Sequence, residues 1–278
     1  MSARDQLLVV IDPVARRTDG ESVRIAKDVL GAGAAVRICL PEGPEEFAKA
    51  LARRGARRPV VIGDDQALLR AVTVLHRERE LGSCAVSVVP VGAAQVLSRS
   101  LGVPSGAVAA ARAVLEGAER RLDLLVDDSD GVVIGTLRIP PVAAPAPAPA
   151  SGGQAVDAHP WLRTCQSFVR TLARPARVAS APGPSPARLR VEADGVLVVD
   201  LDQPVEGVSV TPGADGLAQV EVLPSSVGAA APALRARART VTVSGADFRY
   251  RADAVVGGPV RTRTWSVRTG AWGLVLPE

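Results

Sequence analysis

The chain has 278 residues, enough for one large domain or two modest ones with a full hydrophobic core, so it needs neither metal nor disulfide to fold. Hydrophobic residues make up 47% and aromatics only 3%. Two histidines (His76, His159) and three scattered cysteines (Cys39, Cys84, Cys165) leave too few soft ligands for a Cys/His zinc site and nearly exclude a histidine-based triad. The net charge of +4 is spread over both halves, which is no nucleic-acid footprint.

An odd cysteine count without a CxxC favours reduced thiols and a cytoplasmic protein. Leu7 to Ile11 is far too short for a secretory or membrane-spanning segment and predicts a first strand. The longest uncharged stretch, Ile139 to Val156, is broken by Pro140, Pro141, Pro145, Pro147 and Pro149 and cannot hold a spanning helix. The expected location is the cytoplasm, with attachment to the inner face of the membrane left open. One local excess of arginine without acid runs from Trp161 to Arg190 and suits a solvated face or, less simply, an anionic lipid surface.

In chain order, the pattern predicts a strand at Leu7 to Ile11, a helix at Gly20 to Gly31, a strand at Ala35 to Leu40 and a helix at Pro44 to Gly55. A strand at Pro59 to Ile62, a helix at Asp65 to Glu80 and a strand at Ala85 to Val89 follow, then helices at Gln95 to Leu101 and Ala107 to Glu116. Alternating βα units predict a doubly wound parallel sheet over 1–138. Residues 139–158 are rich in Ala-Pro and predict a loop or linker.

Beyond it, Trp161, Leu162, Cys165, Phe168, Val169 and Leu172 fall on one face of an amphipathic helix. Short alternating runs then predict a β-rich domain over 159–278, mainly antiparallel: Leu189 to Ala193, Val196 to Leu201, Val208 to Val210, Ala218 to Leu223, Thr240 to Val243, Phe248 to Ala252, Thr262 to Val267 and Gly273 to Leu276. Turns are expected at Asp194-Gly195, Asp215-Gly216 and Gly257-Gly258. The last strand has the option of returning to the first domain.

In open α/β sheets, ligands sit beyond the carboxyl ends of the strands. Two turns there are informative: Gly63-Asp64-Asp65-Gln66-Ala67, and Pro90-Val91-Gly92-Ala93-Ala94-Gln95 leading to Arg99, Leu101 and Gly102. Neither GxxxxGK[ST] nor GxGxxG occurs. The two turns resemble the GGDGT and P-L-G-T-G-N-D-x-A-R-x-L-G motifs of the diacylglycerol kinase catalytic-domain family, which includes sphingosine kinases and is distantly related to NAD kinases.

Ile11-Asp12-Pro13 stands where that family has V-N-P, Asp215-Gly216-Leu217-Ala218-Gln219-Val220 resembles D-G-x-L-D-V, and Ala252-Asp253-Ala254-Val255 stands where it has V-D-G-E. The resemblance implies the two-domain architecture of NAD kinases and diacylglycerol kinases, an α/β domain followed by a β-sandwich. It also implies ATP-dependent phosphoryl transfer to a lipid hydroxyl, with ATP and Mg2+ as cofactors. Asp65 and Asp253 take the catalytic positions, Asp253 as general base. Asp12, Gly63, Asp64, Asp65, Gln66, Ala67, Gly92, Ala93, Ala94 and Gln95 take the nucleotide-binding positions, and Asp215 that of a metal ligand.

The glycines of intact motifs let backbone N–H groups approach phosphate oxygens at a helix N-terminus. Here Asp64 adds a carboxylate beside the expected triphosphate; like charges ~4 Å apart cost about 4 kcal/mol at an effective dielectric of ~20, on the order of a thousandfold in affinity. Gln66, where glycine can take a left-handed conformation, adds roughly 1–2 kcal/mol of strain if it must do the same. Ala67 and Ala93 remove hydroxyls, and Ala94 narrows the second turn.

Impaired kinase activity is therefore expected, the alternative being a non-catalytic pseudo-kinase that binds a lipid, a nucleotide or a protein. An NAD kinase would share the GGDG motif but fits the second turn less well. Expected partners are a lipid or membrane surface and a nucleotide, with a homodimer open and nucleic acid excluded. Structural readings of the same residues are that Asp65 caps the following helix and Asp253 is a turn acid. Asp127-Asp128-Ser129-Asp130-Gly131 reads as a hairpin turn rather than a calcium loop, Cys39 and Cys84 as core packing, and His76 as exposed.

Overall fold

A computed structural model describes residues 6–141, 186–225 and 232–278, which belong to one compact unit. Most of the Ala-Pro segment, the Trp161 to Leu172 stripe with Arg163 and Arg170, and His159 and Cys165 lie outside the described residues.

Four strands form the parallel part: β1 (Gln6–Ile11), β2 (Ala35–Cys39), β3 (Arg58–Gly63) and β4 (Ala85–Pro90), in the order β4-β3-β1-β2. β1, β3 and β4 are nearly continuous apolar runs because both of their faces are covered. Leu7, Val9 and Ile11 meet α2 (Gly20–Gly33) and α6 (Ala107–Glu116), while Leu8 and Val10 meet α3 (Pro44–Ala52) and α4 (Asp65–Arg77). Two short helices, α1 (Pro13–Thr18) and α5 (Val96–Ser100), follow the carboxyl ends of β1 and β4.

The antiparallel part consists of β5 (Ala118–Asp127), β6 (Val132–Val133), β7 (Leu137–Ile139), β8 (Leu189–Ala193), β9 (Val196–Val199), β10 (Val205–Pro212), β11 (Ala218–Pro224), β12 (Leu234–Ala238), β13 (Thr240–Ala252) and β14 (Val255–Leu276). Alternate residues such as Val208, Val210, Val220, Val222, Val241 and Val243 point into one core with Trp265. The Trp265 ring meets Tyr250 edge-on, with centroids 5.3 Å apart.

β14 joins the two parts. It runs antiparallel to β13 and β5, then parallel to β4 through Gly273 opposite Ala85 and Leu274 opposite Val86. There Trp272 is fully buried with Leu68, Val86 and Leu124.

The predicted fold class, a parallel α/β region followed by an antiparallel strand-rich one, is the one observed. Several local readings differ. The helix from Asp65 stops at Arg77, and Arg79 takes a left-handed φ of 57°. The runs at 240–243 and 248–252 are one strand interrupted by register shifts, as are those at 262–267 and 273–276. The reversal expected at Gly257-Gly258 occurs instead at Asp253-Ala254, where Ala252 faces Val255 and Asp253 has φ 51°.

His76 is half-buried rather than exposed, its Nε2 2.8 Å from Asp130 Oδ1. Cys39 and Cys84 sit half-buried at the margins of the core clusters. The Asp127 to Gly131 segment is the β5–β6 turn: Asp127 Oδ1 accepts from the Ser129 N–H, the Ser129 hydroxyl and the Gly131 N–H.

Candidate functional site

The carboxyl ends of β1, β3 and β4 bring most of the predicted site residues together. Gly63 ends β3 with no room for a side chain: a Cβ there would lie 2.9 Å from Asp12 Cβ and 2.6 Å from Ala67 Cβ. Gly92 has φ 115°, and a Cβ on it would approach Asp64 Cβ at 3.4 Å. The two turns are tied by the Val91 N–H to the Gly63 carbonyl at 2.9 Å and the Asp65 N–H to the Ala94 carbonyl at 2.8 Å. Ala93 stands exposed within the second turn, and the Gln95 side-chain amide closes that turn on the Gly92 carbonyl at 2.8 Å.

Four aspartates line this region, and each carboxylate accepts hydrogen bonds from backbone N–H groups. Asp12 caps α1 through the Val14 N–H at 2.8 Å, and its other oxygen pairs with Arg70 at 2.7 Å. Asp64, not Asp65, caps α4: its Oδ1 accepts from the Gln66 and Ala67 N–H groups, both at 3.1 Å. Burial pushes the Asp64 carboxyl up against these two bonds, and the nearby charges of Asp12 and Asp65 add to the rise.

Asp65 reaches across to α5, accepting from the Leu97 N–H at 2.8 Å, the Ser98 N–H at 2.9 Å and the Ser98 hydroxyl at 2.7 Å. Asp253 accepts from Ile134 at 2.9 Å, Gly135 at 2.8 Å and Thr136 at 2.7 Å. Desolvation nevertheless outweighs those donors and pushes the Asp253 carboxyl to about 6, with Asp65 contributing a smaller push in the same direction.

The helix N-termini that would offer free amides to a phosphate are thus already filled by the protein's own carboxylates. Gln66 is a helical residue here and bears no left-handed strain.

Asp215 stands apart from this group. It lies half-exposed in the β10–β11 turn and pairs with Arg237. The acid that organises that turn is the buried Asp123, which accepts from the Gly216 and Gly270 N–H groups, both at 2.7 Å. Among the described residues no group of three or more His, Cys, Asp or Glu is arranged to hold a metal ion.

Sequence reasoning missed Arg70, which pairs with Asp12 and lies 5.3 Å from the Phe47 ring centroid, and it missed Ser98 and the 134–136 amides. Arg70 carried a usable signal, since it falls on the same helical turn as Ala67 and Ala71 and follows the β3 turn directly. Among the described residues no helix is long and apolar enough to cross a membrane.

Comparison with known proteins agrees with this architecture. No curated protein matches the chain. The solved structure titled "A putative diacylglycerol kinase from Bacillus anthracis str. Sterne" is similar with a TM-score of 0.71 at 12% identity, over 98% of this chain and 97% of that one. A second, titled as a diacylglycerol kinase from the same organism, has a TM-score of 0.70 at 12% identity over the same shares. These likenesses establish the fold. The model of the family described as "Diacylglycerol kinase catalytic domain" matches residues 6–126, and the described residues have the fold of the solved diacylglycerol kinase structures.

Proposed function

We propose that this protein is a non-catalytic member of the lipid kinase family, one that keeps the scaffold and does not hold a nucleoside triphosphate at the β3–α4 turn. The observation that carries this reading is the Asp64 carboxylate on the Gln66 and Ala67 amides. A phosphate arriving there would have to displace a covalently tethered carboxylate and then lie beside Asp12, Asp64 and Asp65. Arg70, the nearby cation, is engaged by Asp12.

Asp65 and Asp253 survive from the family pattern, but the oxygens of both carboxylates are taken by backbone donors. The residues present therefore do not fit a magnesium-bound triphosphate. The remaining role is binding, and family membership makes a lipid the first ligand class to test.

Calorimetric titration with Mg-ATP tests the reading. The wild-type protein is expected to show no saturable binding below millimolar concentration. Asp64→Asn keeps a helix cap and removes the charge, and Asp64→Gly frees the two amides. At least the glycine variant is expected to gain on the order of tenfold or more in affinity, given charge-assisted bonds of about 1.5–3 kcal/mol. Micromolar binding by the wild type, or phosphorylation of diacylglycerol by it, overturns the reading.

A further inference from the structure

The outer face of the antiparallel region carries a charge arrangement that the nucleotide-side turns do not explain. Leu137 and Ile139 of β7 and Phe248 and Tyr250 of β13 point into the core, so Arg138, Arg249 and Arg251 point the other way. The register places Arg251 directly opposite Arg138, and Ser209 of β10 opposite Arg138 on its other side. Directly opposed side chains in neighbouring strands have Cβ atoms roughly 4.5–5.5 Å apart, and like charges in that relation are destabilising.

Among the described residues no carboxylate pairs with either Arg138 or Arg251, whereas Arg235 on the same row is paired with Glu221. Glu221 stands opposite Ser209, two strands from Arg138. Asp253, two residues beyond Arg251, has its oxygens committed to the 134–136 amides. A second observation is independent of the register: the Arg251 Nε is shielded from solvent and has no hydrogen-bond partner. A buried guanidinium N–H without an acceptor is costly.

We propose that Arg138 and Arg251 form a clamp for a phosphate monoester, with the Ser209 hydroxyl beside it. Two guanidinium planes supply forked donors matched to the several oxygens of a phosphate, and its dianionic charge cancels the cross-strand repulsion. The clamp is built on β7, β10 and β13 and uses no residue of α4 or α5. Its failure would leave the reading of Asp64 untouched.

The test is binding of glycerol 3-phosphate in solution, by calorimetry, beside sedimentation with phosphatidylcholine vesicles with and without phosphatidic acid. Saturable glycerol 3-phosphate binding supports the clamp with a soluble source. Binding only to vesicles that contain phosphatidic acid supports it with a lipid source. In either case Arg138→Gln and Arg251→Gln are each expected to weaken binding by about tenfold or more, the loss of charge-assisted hydrogen bonds.

Arg235→Gln, on the same face but already paired, is expected to leave binding unchanged and so separates a clamp from a generally basic surface. Arg138 is exposed and its replacement keeps the fold even if Arg251→Gln does not, which circular dichroism checks. The proposal is overturned if neither ligand binds, or if binding survives Arg138→Gln or falls equally with Arg235→Gln.

Discussion

The α/β part and the antiparallel part use the same device at different addresses. In the first, Asp12, Asp64 and Asp65 hold amides at the starts of α1, α4 and α5. In the second, Asp123, Asp127 and Asp194 hold amides in strand connections, Asp194 through Arg239 and Thr240 at 3.1 and 2.8 Å. A helix start presents its amides outward, toward whatever enters beyond the sheet, so a carboxylate there competes with an anionic ligand. A hairpin's amides face its own turn, and an aspartate there fixes the reversal and displaces nothing. One chemistry thus occupies helix-start amides in one half and holds strand connections in the other.

The contrast is sharpest at Asp253, which belongs by sequence to the strands and whose carboxyl is raised mainly by burial, with a smaller push from Asp65. Burial pushes its carboxyl up to about 6 in the folded protein, against ~3.9 when unfolded. The folded state therefore holds this proton more tightly, so its contribution to stability is fully present below about pH 4 and is lost as pH rises through 6. Asp253→Asn is expected to remove about 2–3 kcal/mol of the stability difference between pH 4 and pH 7, read from urea unfolding at each pH. An unchanged pH profile would break the assignment.

Next in size, Asp127→Ala leaves the Ser129 and Gly131 amides without their acceptor and is expected to cost about 1–3 kcal/mol in the same unfolding measurement. It is also expected to leave the response of Asp64→Gly to Mg-ATP unaltered. An effect on that response would show the two kinds of aspartate to be coupled. At the small end, Arg24→Gln breaks ion pairs with Glu21 and Asp28 on the open face of α2, and the melting temperature is expected to stay where it was.

Much of this was legible in the residues. The parallel strands announce themselves as apolar runs spaced by amphipathic helices, and both turns that line the site were found from their glycines. What was not legible has particular causes. β5 begins Ala118-Glu119-Arg120-Arg121, a polar run that reads as loop until β14 pairs with it. β12 alternates Arg235 and Arg237 with alanines too small to mark a core face.

At the site, sequence identified Asp64 as an intruding charge but could not show where its oxygens go. That depends on Asp64 standing one residue before the first turn of α4 with extended backbone. For Asp65 the residues suggest a catalytic position or, structurally, the cap of its own helix; its carboxylate instead serves α5, with Leu97 32 residues away, a partnership that only the close approach of the two turns creates.

β14 bears on how the molecule is made. Its Trp265 completes the antiparallel core, and its Trp272 and Leu274 complete the cluster under α4. During synthesis β1 to β4 emerge long before the strand that seals the β4 edge, so the growing chain carries an open sheet edge until residue 276 has been added. Local helices can form early, but closure of both cores is a late, long-range event. Until then the open β4 edge is the part of this fold most exposed to pairing with another chain.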